Sequence, residues 1–552
     1  METSTTIARP WRAAFAGVAD WDAPIEAGTV PALLDRAVAA YGDDTAITFR
    51  DRPISFRALA EQAGRLAAGL LAAGIGAGQT VALYLPNTPW HPIAFFAVAR
   101  TGARVVHLSA LDAPRELAHK LTDSGARVLI TTNLPHLLPT ALRLLEDGAV
   151  GRVLVGEDAR WGPGDPSPLP VPWSATVTPP PEGAPPPRWP AISPDDICVL
   201  QYTGGTTGLP KGAMLSHANL TAAVAIYRNW NDGGKTQRHR VIAVLPFFHI
   251  YALTVLLLRG IAEGHELLLR TRFDVATTLD DIGRRRATAF PGVPTMWIAL
   301  ANHPEAARCD FTSLEMASSG GAPMPFDVEQ RVTQLVGRRL GGGWGMTETS
   351  PAGTRIPPGA EPQPGLIGIP LPGIDLIIVD RTDPGRILPP GEVGEIAIRG
   401  PNVFRGYWNR PDETAAAFRN GFFLTGDIGV MDAQGLFRLL DRKKNMIISG
   451  GFNVYPAQVE SAIYEHPAVA EVIVIGVRDP YRGEAAKAFV SLRPDAAPFT
   501  LDELRAFLAD RLGRHELPAA LEFRDRLPRT PAGKLQAQTL RDEEAAKPLA
   551  TS

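Results

Sequence analysis

The residues best equipped for chemistry lie in one run, Tyr202-Thr203-Gly204-Gly205-Thr206-Thr207-Gly208-Leu209-Pro210-Lys211-Gly212, directly after the strand-like stretch Ile197 to Gln201. Glycine lets backbone N–H groups turn toward an anion without Cβ obstruction, threonine hydroxyls add donors, and Lys211 adds charge. Together Thr203, Gly204, Gly205, Thr206, Thr207, Gly208 and Lys211 make a phosphate cradle. A Walker A loop needs Gly-Lys followed by Ser or Thr, whereas here Pro210 precedes the lysine and Gly212 follows it. A flexible surface turn would account for the glycines but not for the hydroxyls and the lysine among them.

Further motifs follow along the chain: Gly343-Trp344-Gly345-Met346-Thr347-Glu348-Thr349, Leu424-Thr425-Gly426-Asp427, Asp441-Arg442-Lys443-Lys444-Asn445 and Arg529-Thr530-Pro531-Ala532-Gly533-Lys534. Glu348 offers the hard oxygen that Mg²⁺ takes while bridging phosphates; the plain alternative is a solvated surface glutamate. Trp344 has an aromatic face for a base, or is a core tryptophan. Asp427 suits a pair of sugar hydroxyls, with Arg442 in reach of the same sugar, and competes with the reading of an exposed turn aspartate beside Gly426. Alone, Lys534 reads as a solvated charge.

In order and spacing these motifs resemble those of the adenylate-forming superfamily, which contains acyl-CoA synthetases, peptide-synthetase adenylation domains and beetle luciferases. The resemblance runs from Tyr202 to Lys534, and the alternating texture before Tyr202 is similar to the family's N-terminal lobe. It implies an enzyme that uses ATP and Mg²⁺ to join a carboxylic acid to AMP with release of pyrophosphate, then passes the acyl group to coenzyme A. In-line attack of a carboxylate on the α-phosphate brings two anions together, so positioned positive charge dominates catalysis. The resemblance assigns that charge to Lys534.

It also places Trp344, Gly345, Met346 and Thr347 at the nucleotide, although tyrosine is more usual than tryptophan there, and Asp427 with Arg442 at the ribose. Glu348 becomes the metal ligand, Asp441 the hinge, and Gly450, Gly451 and Phe452 the lining of the pantetheine path. Gly321, Ala322 and Pro323 resemble the segment between adenine and acyl chain. Pro246-Phe247-Phe248-His249-Ile250-Tyr251 resembles the border of the acyl pocket, which would put His249 near the carboxylate; a hydrogen-bonded core histidine is the equal alternative.

Phe452 and the Asp441 to Lys444 run look most like medium- and long-chain fatty acyl-CoA synthetases. Other readings stay open: an acyl-AMP ligase that loads a carrier protein, an aryl or dicarboxylic acid–CoA ligase, or a luciferase-type monooxygenase. A P-loop kinase would release ADP instead of AMP, and a non-catalytic nucleotide-binding module would release no pyrophosphate.

These residues need elements to hold them. Short apolar runs alternate with helix-like segments: Thr80 to Leu85, His91 to Arg100, Ala103 to Leu108, Arg115 to Thr122 and Ala126 to Thr132. That alternation predicts βαβ units and a mostly parallel sheet. The proline-crowded stretch Trp161 to Pro190 reads as a surface connection, and Ile369 to Leu440 as a small β-rich subdomain separated by turns such as Pro389-Pro390-Gly391. After Asp441 a new unit starts, with Pro456 opening a helix whose Val459, Ala462 and Ile463 share a face. The expected fold is α/β: a large N-terminal domain, residues 1–440, and a small mobile α+β C-terminal domain, residues 441–552.

A chain of 552 residues exceeds the roughly 250 to 300 at which one core stops growing. The net charge of -3 gives no long-range pull toward nucleic acid, so any polyanion must be met locally. Cys198 and Cys309 are the only cysteines, too few for a disulfide framework or a cysteine zinc site. With no export or peroxisomal signal read at the ends, a reduced cytoplasm is the expectation. The greasiest stretch, Val241 to Leu269, is broken by Pro246, His249, Arg259, Glu263 and His265, so no spanning helix is expected. Peripheral membrane contact and oligomeric state stay open.

Overall fold

A computed structural model describes residues 7–164, 166–170, 188–203, 210–230, 238–321, 324, 326–449, 452–479, 482–529 and 535–547. Among these, two six-stranded sheets carry the N-terminal part. The first runs Arg152–Gly156, Val128–Thr132, Thr80–Leu83, Arg104–His107, Ile197–Thr203, Lys211–Ser216. All its neighbours are parallel except the last pair. The second runs Met316–Ser319, Ala289–Gly292, Arg240–Ala243, Glu266–Leu269, Thr45–Phe49, Arg52–Ser55, again parallel up to an antiparallel edge strand. The expected βαβ units are therefore present, with helices Trp90–Arg100 and Pro114–Ser124 as crossovers.

Helix Trp90–Arg100 shows why such crossovers read weakly as amphipathic. Residues 91–99 are all buried, and a helix apolar all round belongs inside a large core. Pro114 occupies the first turn of its helix, where a missing N–H costs nothing, and Gly125 closes it in the left-handed conformation. Two features had no counterpart in the sequence reading. Lys211–Ser216 folds back antiparallel on Ile197–Thr203, and Ala252–Leu258 is a π-helix within the apolar stretch, a distortion often found at functional sites. Among the described residues no helix is long and apolar enough to cross a membrane.

The expected β-rich part is a seven-stranded sheet whose pairings are antiparallel, including Asp375–Val379, Gly394–Arg399, Phe422–Met431 and Phe437–Arg442. Trp11 is buried edge-on against Phe437, which fastens the N-terminal segment to this sheet. A five-stranded sheet with helices Pro456–Tyr464, Leu501–Leu508 and Ala537–Ala545 forms the C-terminal part, and Val459, Ala462 and Ile463 are buried as their spacing predicts.

Two buried asparagines join the β-rich part to the rest. Asn219 caps helix His217–Arg228 together with Ser216, and its amide also reaches the carbonyls of Pro401 and Val403. Asn402 donates to the carbonyls of Thr349 and Ala352, both at 2.7 Å. An unpaired buried carbonyl costs about 1–3 kcal/mol. Asn402→Ala should therefore lower the unfolding free energy by about 2 kcal/mol or more, read as a fall in the urea midpoint; an unchanged midpoint would show that these bonds carry no net stability.

Candidate active site

The β-rich sheet brings the later motifs together. Asp427 and Arg442 face each other across neighbouring antiparallel strands, where directly opposed side chains meet. Arg442 Nε comes within 2.6 Å of Asp427 Oδ1. Trp344 is held near the same sheet because it exchanges hydrogen bonds with Thr354: its N–H donates to Thr354 Oγ1 at 3.0 Å, and its carbonyl accepts from Thr354 N at 2.8 Å. Thr354 itself begins a short strand of that sheet.

From there the Trp344 indole N–H donates to Asp427 Oδ2 at 2.7 Å. The Asp427 side chain is 0 % exposed, and burial raises its pKa, opposed chiefly by the charge of Arg442 and the Trp344 hydrogen bond. Arg442 neutralises Oδ1 without satisfying it as an acceptor, so Oδ1 has no hydrogen-bond partner in the structure. A buried carboxylate in contact with one cation and one indole N–H keeps lone pairs that suit a hydroxyl donor. Trp344 is 8 % exposed and packs in the main core, as the core-tryptophan alternative expected, and the structure adds an indole hydrogen bond that neither reading foresaw.

Glu348 is also buried, and burial raises its pKa. Its Oε1 accepts from the Tyr407 hydroxyl at 2.9 Å. The Tyr407 ring in turn lies 5.4 Å from Lys211 Nζ, close enough for a cation–π contact, and Lys211 forms an ion pair with Glu413. Glu348, Tyr407 and Lys211 therefore form one contact chain. Tyr407 and Glu413 carried no sequence signal, since nothing in Arg405 to Thr414 distinguishes them from surface residues.

The register Thr203 opposite Lys211 fixes both ends of the glycine-rich loop. Gly204, Gly205, Thr206, Thr207 and Gly208 lie outside the described residues, as do Ala322, Pro323, Gly450, Gly451 and Lys534. Gly345 has a steric reason to be glycine, since a Cβ there would sit 1.5 Å from the Pro351 carbonyl oxygen. Met346 and Thr347 lead into a short 3₁₀ turn that carries Glu348. The half-buried His249 accepts the Tyr251 N–H on Nδ1 at 3.2 Å. Tyr251 packs on Gly320, whose Cβ would lie 3.0 Å from the ring, next to Gly321.

Asp441 sits one residue before Arg442 and is buried. Its Oδ2 accepts the N–H of Ala457 at 2.8 Å in the first turn of helix Pro456–Tyr464, and its Oδ1 accepts from Arg442 N and Asn445 Nδ2. Burial raises its pKa, partly offset by the bonds from Ala457, Arg442 and Asn445. Asn445 then accepts from Arg541 at 2.9 Å, so the carboxylate holds one helix of the C-terminal part directly and is linked through Asn445 to a second. Phe452, by contrast, is 60 % exposed and rests on His515, away from the Asp427 cluster in its contacts.

The chain is similar to known proteins over most of its length. The family model described as "AMP-binding enzyme" matches residues 34–408, and that of the "AMP-binding enzyme C-terminal domain" matches residues 458–534. A long-chain-fatty-acid–CoA ligase of Bacillus subtilis is 37% identical over 97% of this chain and 98% of its own. A feruloyl-CoA synthase of an Amycolatopsis species is 37% identical over 89% of this chain and 94% of its own. Among solved structures, o-succinylbenzoate CoA synthetase from Bacillus subtilis, in complex with its acyl-adenylate intermediate, superposes with a TM-score of 0.78 at 30% identity, covering 92% of this chain and 98% of that one.

Close to Asp441, Glu460 accepts the Val474 N–H at 2.7 Å. Burial, reinforced by the charge of Asp441 and only partly offset by that bond, pushes its pKa up to about 8. A carboxyl raised on folding adds stability that is complete below its ordinary pKa of 4.5 and is lost as pH climbs through about 8. Glu460→Gln keeps the acceptor and removes the titration. Its thermal midpoint should stay level from about pH 6 to pH 9 while that of the wild type falls; parallel profiles would refute the assignment.

Proposed function

The chain belongs to the AMP-binding enzyme family, and from that premise we propose that it is an AMP-forming acid–CoA ligase acting on a medium- or long-chain fatty acid. The observation that carries the reading is the buried Asp427 carboxylate, shared by Trp344 on one oxygen and Arg442 on the other. It stands at the centre of motifs that otherwise lie far apart in sequence. The fatty-acid assignment is supported by the Bacillus subtilis relative, which matches nearly end to end.

In this reading the ATP phosphates lie along the loop from Thr203 to Lys211, and the ribose hydroxyls meet Asp427 and Arg442. To receive them Lys211 exchanges its partner Glu413 for phosphate oxygens. Glu348 would hold Mg²⁺: a single buried carboxylate steadied by Tyr407 fits an ion that usually takes one or two carboxylates and completes its shell with phosphates and water. When bound, the ion supplies hard charge across the phosphates. Gly345, Met346 and Thr347 line the nucleotide beside Trp344, and Gly321, Ala322 and Pro323 separate it from the acyl chain.

The acid carboxylate, with His249 at its border, attacks the α-phosphorus. One oxygen of the acid becomes the bridge to AMP, and the bond to pyrophosphate breaks. Lys534 screens the two anions as they meet. The same reading divides the chain into residues 1–440, which bind nucleotide and acid, and residues 441–552, which turn about Asp441. After that hinge motion, Gly450, Gly451 and Phe452 line the path by which the CoA thiol reaches the acyl carbon, and AMP leaves. The cytoplasm, where ATP and CoA occur together, is the compartment we assign.

An aryl acid is the second reading, favoured by the feruloyl-CoA synthase relative. AMP release with CoA across acetate, octanoate, palmitate, benzoate, ferulate and a dicarboxylate separates the two. Turnover led by octanoate or palmitate supports the first reading, turnover led by ferulate or benzoate supports the second, and release of ADP overturns both.

Two variants test the division of labour. Lys534→Ala should lower acid-dependent ATP–pyrophosphate exchange by about 10² to 10³-fold while largely sparing CoA capture of supplied acyl-AMP; equal loss in both half-reactions would contradict the role. Asp441→Pro should slow thioester formation more than adenylation, as measured by single-turnover assays of each step. Full turnover retained in that variant would remove the hinge.

A further inference from the structure

The backbone that leads into His249 is gripped by two buried side-chain amides contributed from the neighbouring sheet and its loops. Asn87 donates from Nδ2 to the carbonyls of Leu245 at 2.8 Å and Ala243 at 3.3 Å, and accepts the Phe247 N–H on Oδ1 at 2.9 Å. Gln201 donates from Nε2 to the Phe248 carbonyl at 2.8 Å. Gln201 lies on strand Ile197–Thr203, two residues before the strand's end at the phosphate loop, and Phe248 directly precedes His249. From this geometry we infer that Gln201, oriented by His107, is a positioning residue that sets the acid-side segment against strand Ile197–Thr203.

The orientation follows from hydrogen-bond inventory. An amide whose nitrogen must face a carbonyl turns its oxygen the other way, and Gln201 Oε1 lies 3.0 Å from His107 Nδ1. That contact is a bond only if Nδ1 carries the proton. Burial pushes the His107 pKa down to about 4, so the ring is neutral at physiological pH with its proton directed at Gln201. The ring itself is held by stacking, against His91 at 5.2 Å and 12° and against Phe95 at 6.0 Å and 13°. His91 packs in turn on Phe247 at 5.4 Å. His91 has no hydrogen-bond partner on either ring nitrogen in the structure, so it contributes by packing alone.

The consequence is a fixed path from His107 through one amide to the carbonyl beside His249. Without it the Phe248 carbonyl loses its donor and the segment re-orients, while the strand that bears Thr203 keeps its ladder with Lys211–Ser216. Acid binding should therefore suffer more than ATP binding. This rests on the acid–CoA ligase reading, so the wild type is assayed first: no acid-dependent AMP release would defeat that reading, whatever the variants do.

The test uses the full-length chain with palmitate or octanoate, whichever the wild type prefers, and compares Gln201→Leu, His107→Leu and His107→Asn. Asparagine places an N–H donor near the site of His107 Nδ1, so it retains the orientation; leucine does not. Loss of one such bond in a working geometry is expected to raise KM for the acid by about 5- to 10-fold in Gln201→Leu and His107→Leu. KM for ATP should stay within about 2-fold, and His107→Asn should restore the acid KM. Equal shifts in acid and ATP KM would overturn the inference, as would unchanged acid KM in both leucine variants. If Gln201→Leu does not fold, the two His107 variants decide: identical acid KM for asparagine and leucine overturns the inference, and rescue by asparagine supports it.

Discussion

A buried carboxylate needs compensation, and in this protein the compensation for Asp427 organises the site. Taking a carboxylate out of water is costly, and removing one partner of a buried pair typically costs about 3–5 kcal/mol. Trp344 and Arg442 come from separate motifs, one ahead of the β-rich sheet and one at its last strand, and both converge on that group. The convergence forces Trp344 to sit against the sheet through Thr354. It also sets Glu348, four residues further along the chain, near the Tyr407–Lys211 contact. Trp344, Arg442 and Glu348 are therefore brought to one region by a single electrostatic demand.

The same strand passes that demand to the C-terminal part. Asp441 and Arg442 are consecutive, so the residue that neutralises the Asp427 carboxylate adjoins the residue that holds helix Pro456–Tyr464 by its first turn. A carboxylate at a helix start is favourable because N–H groups there lack partners. In the proposed rotation, a change in backbone angles at Asp441 must release or carry along the bonds to Ala457 and Asn445. Asp441 is thus a position whose hydrogen bonds define one preferred arrangement of strand and helix, and the proposed alternation between two half-reactions would have to exchange them.

Much of the scaffold was legible in the sequence because period and punctuation agree there. The runs at Thr80, Ala103 and Ala126 became parallel strands, Pro114 and Pro456 opened helices, and the turn-rich region after Ile369 became an antiparallel sheet. The return strand Lys211–Ser216 was not legible, since Lys-Gly-Ala-Met-Leu-Ser lacks the β-branched pattern and its pairing is a tertiary choice. Nor was the π-helix, because an apolar run looks the same in any helix type. In the site, motif residues could be named, but the Trp344–Asp427 bond spans 83 positions and no local pattern encodes it. Tyr407, Asn87 and Gln201 escaped for the same reason: their work is done for partners distant in sequence.

In the proposed reaction a carboxylate meets the α-phosphorus of ATP, so that an acid oxygen becomes the bridge to AMP. The most direct measurement is a turnover with an acid labelled with oxygen-18 in its carboxylate, followed by mass analysis of the nucleotide and pyrophosphate. Attack at the α-phosphorus and later cleavage at the acyl carbon predict one labelled oxygen in the phosphate of AMP and none in pyrophosphate. Label in pyrophosphate, unlabelled AMP, or ADP as the nucleotide product would show that the acid does not attack the α-phosphorus.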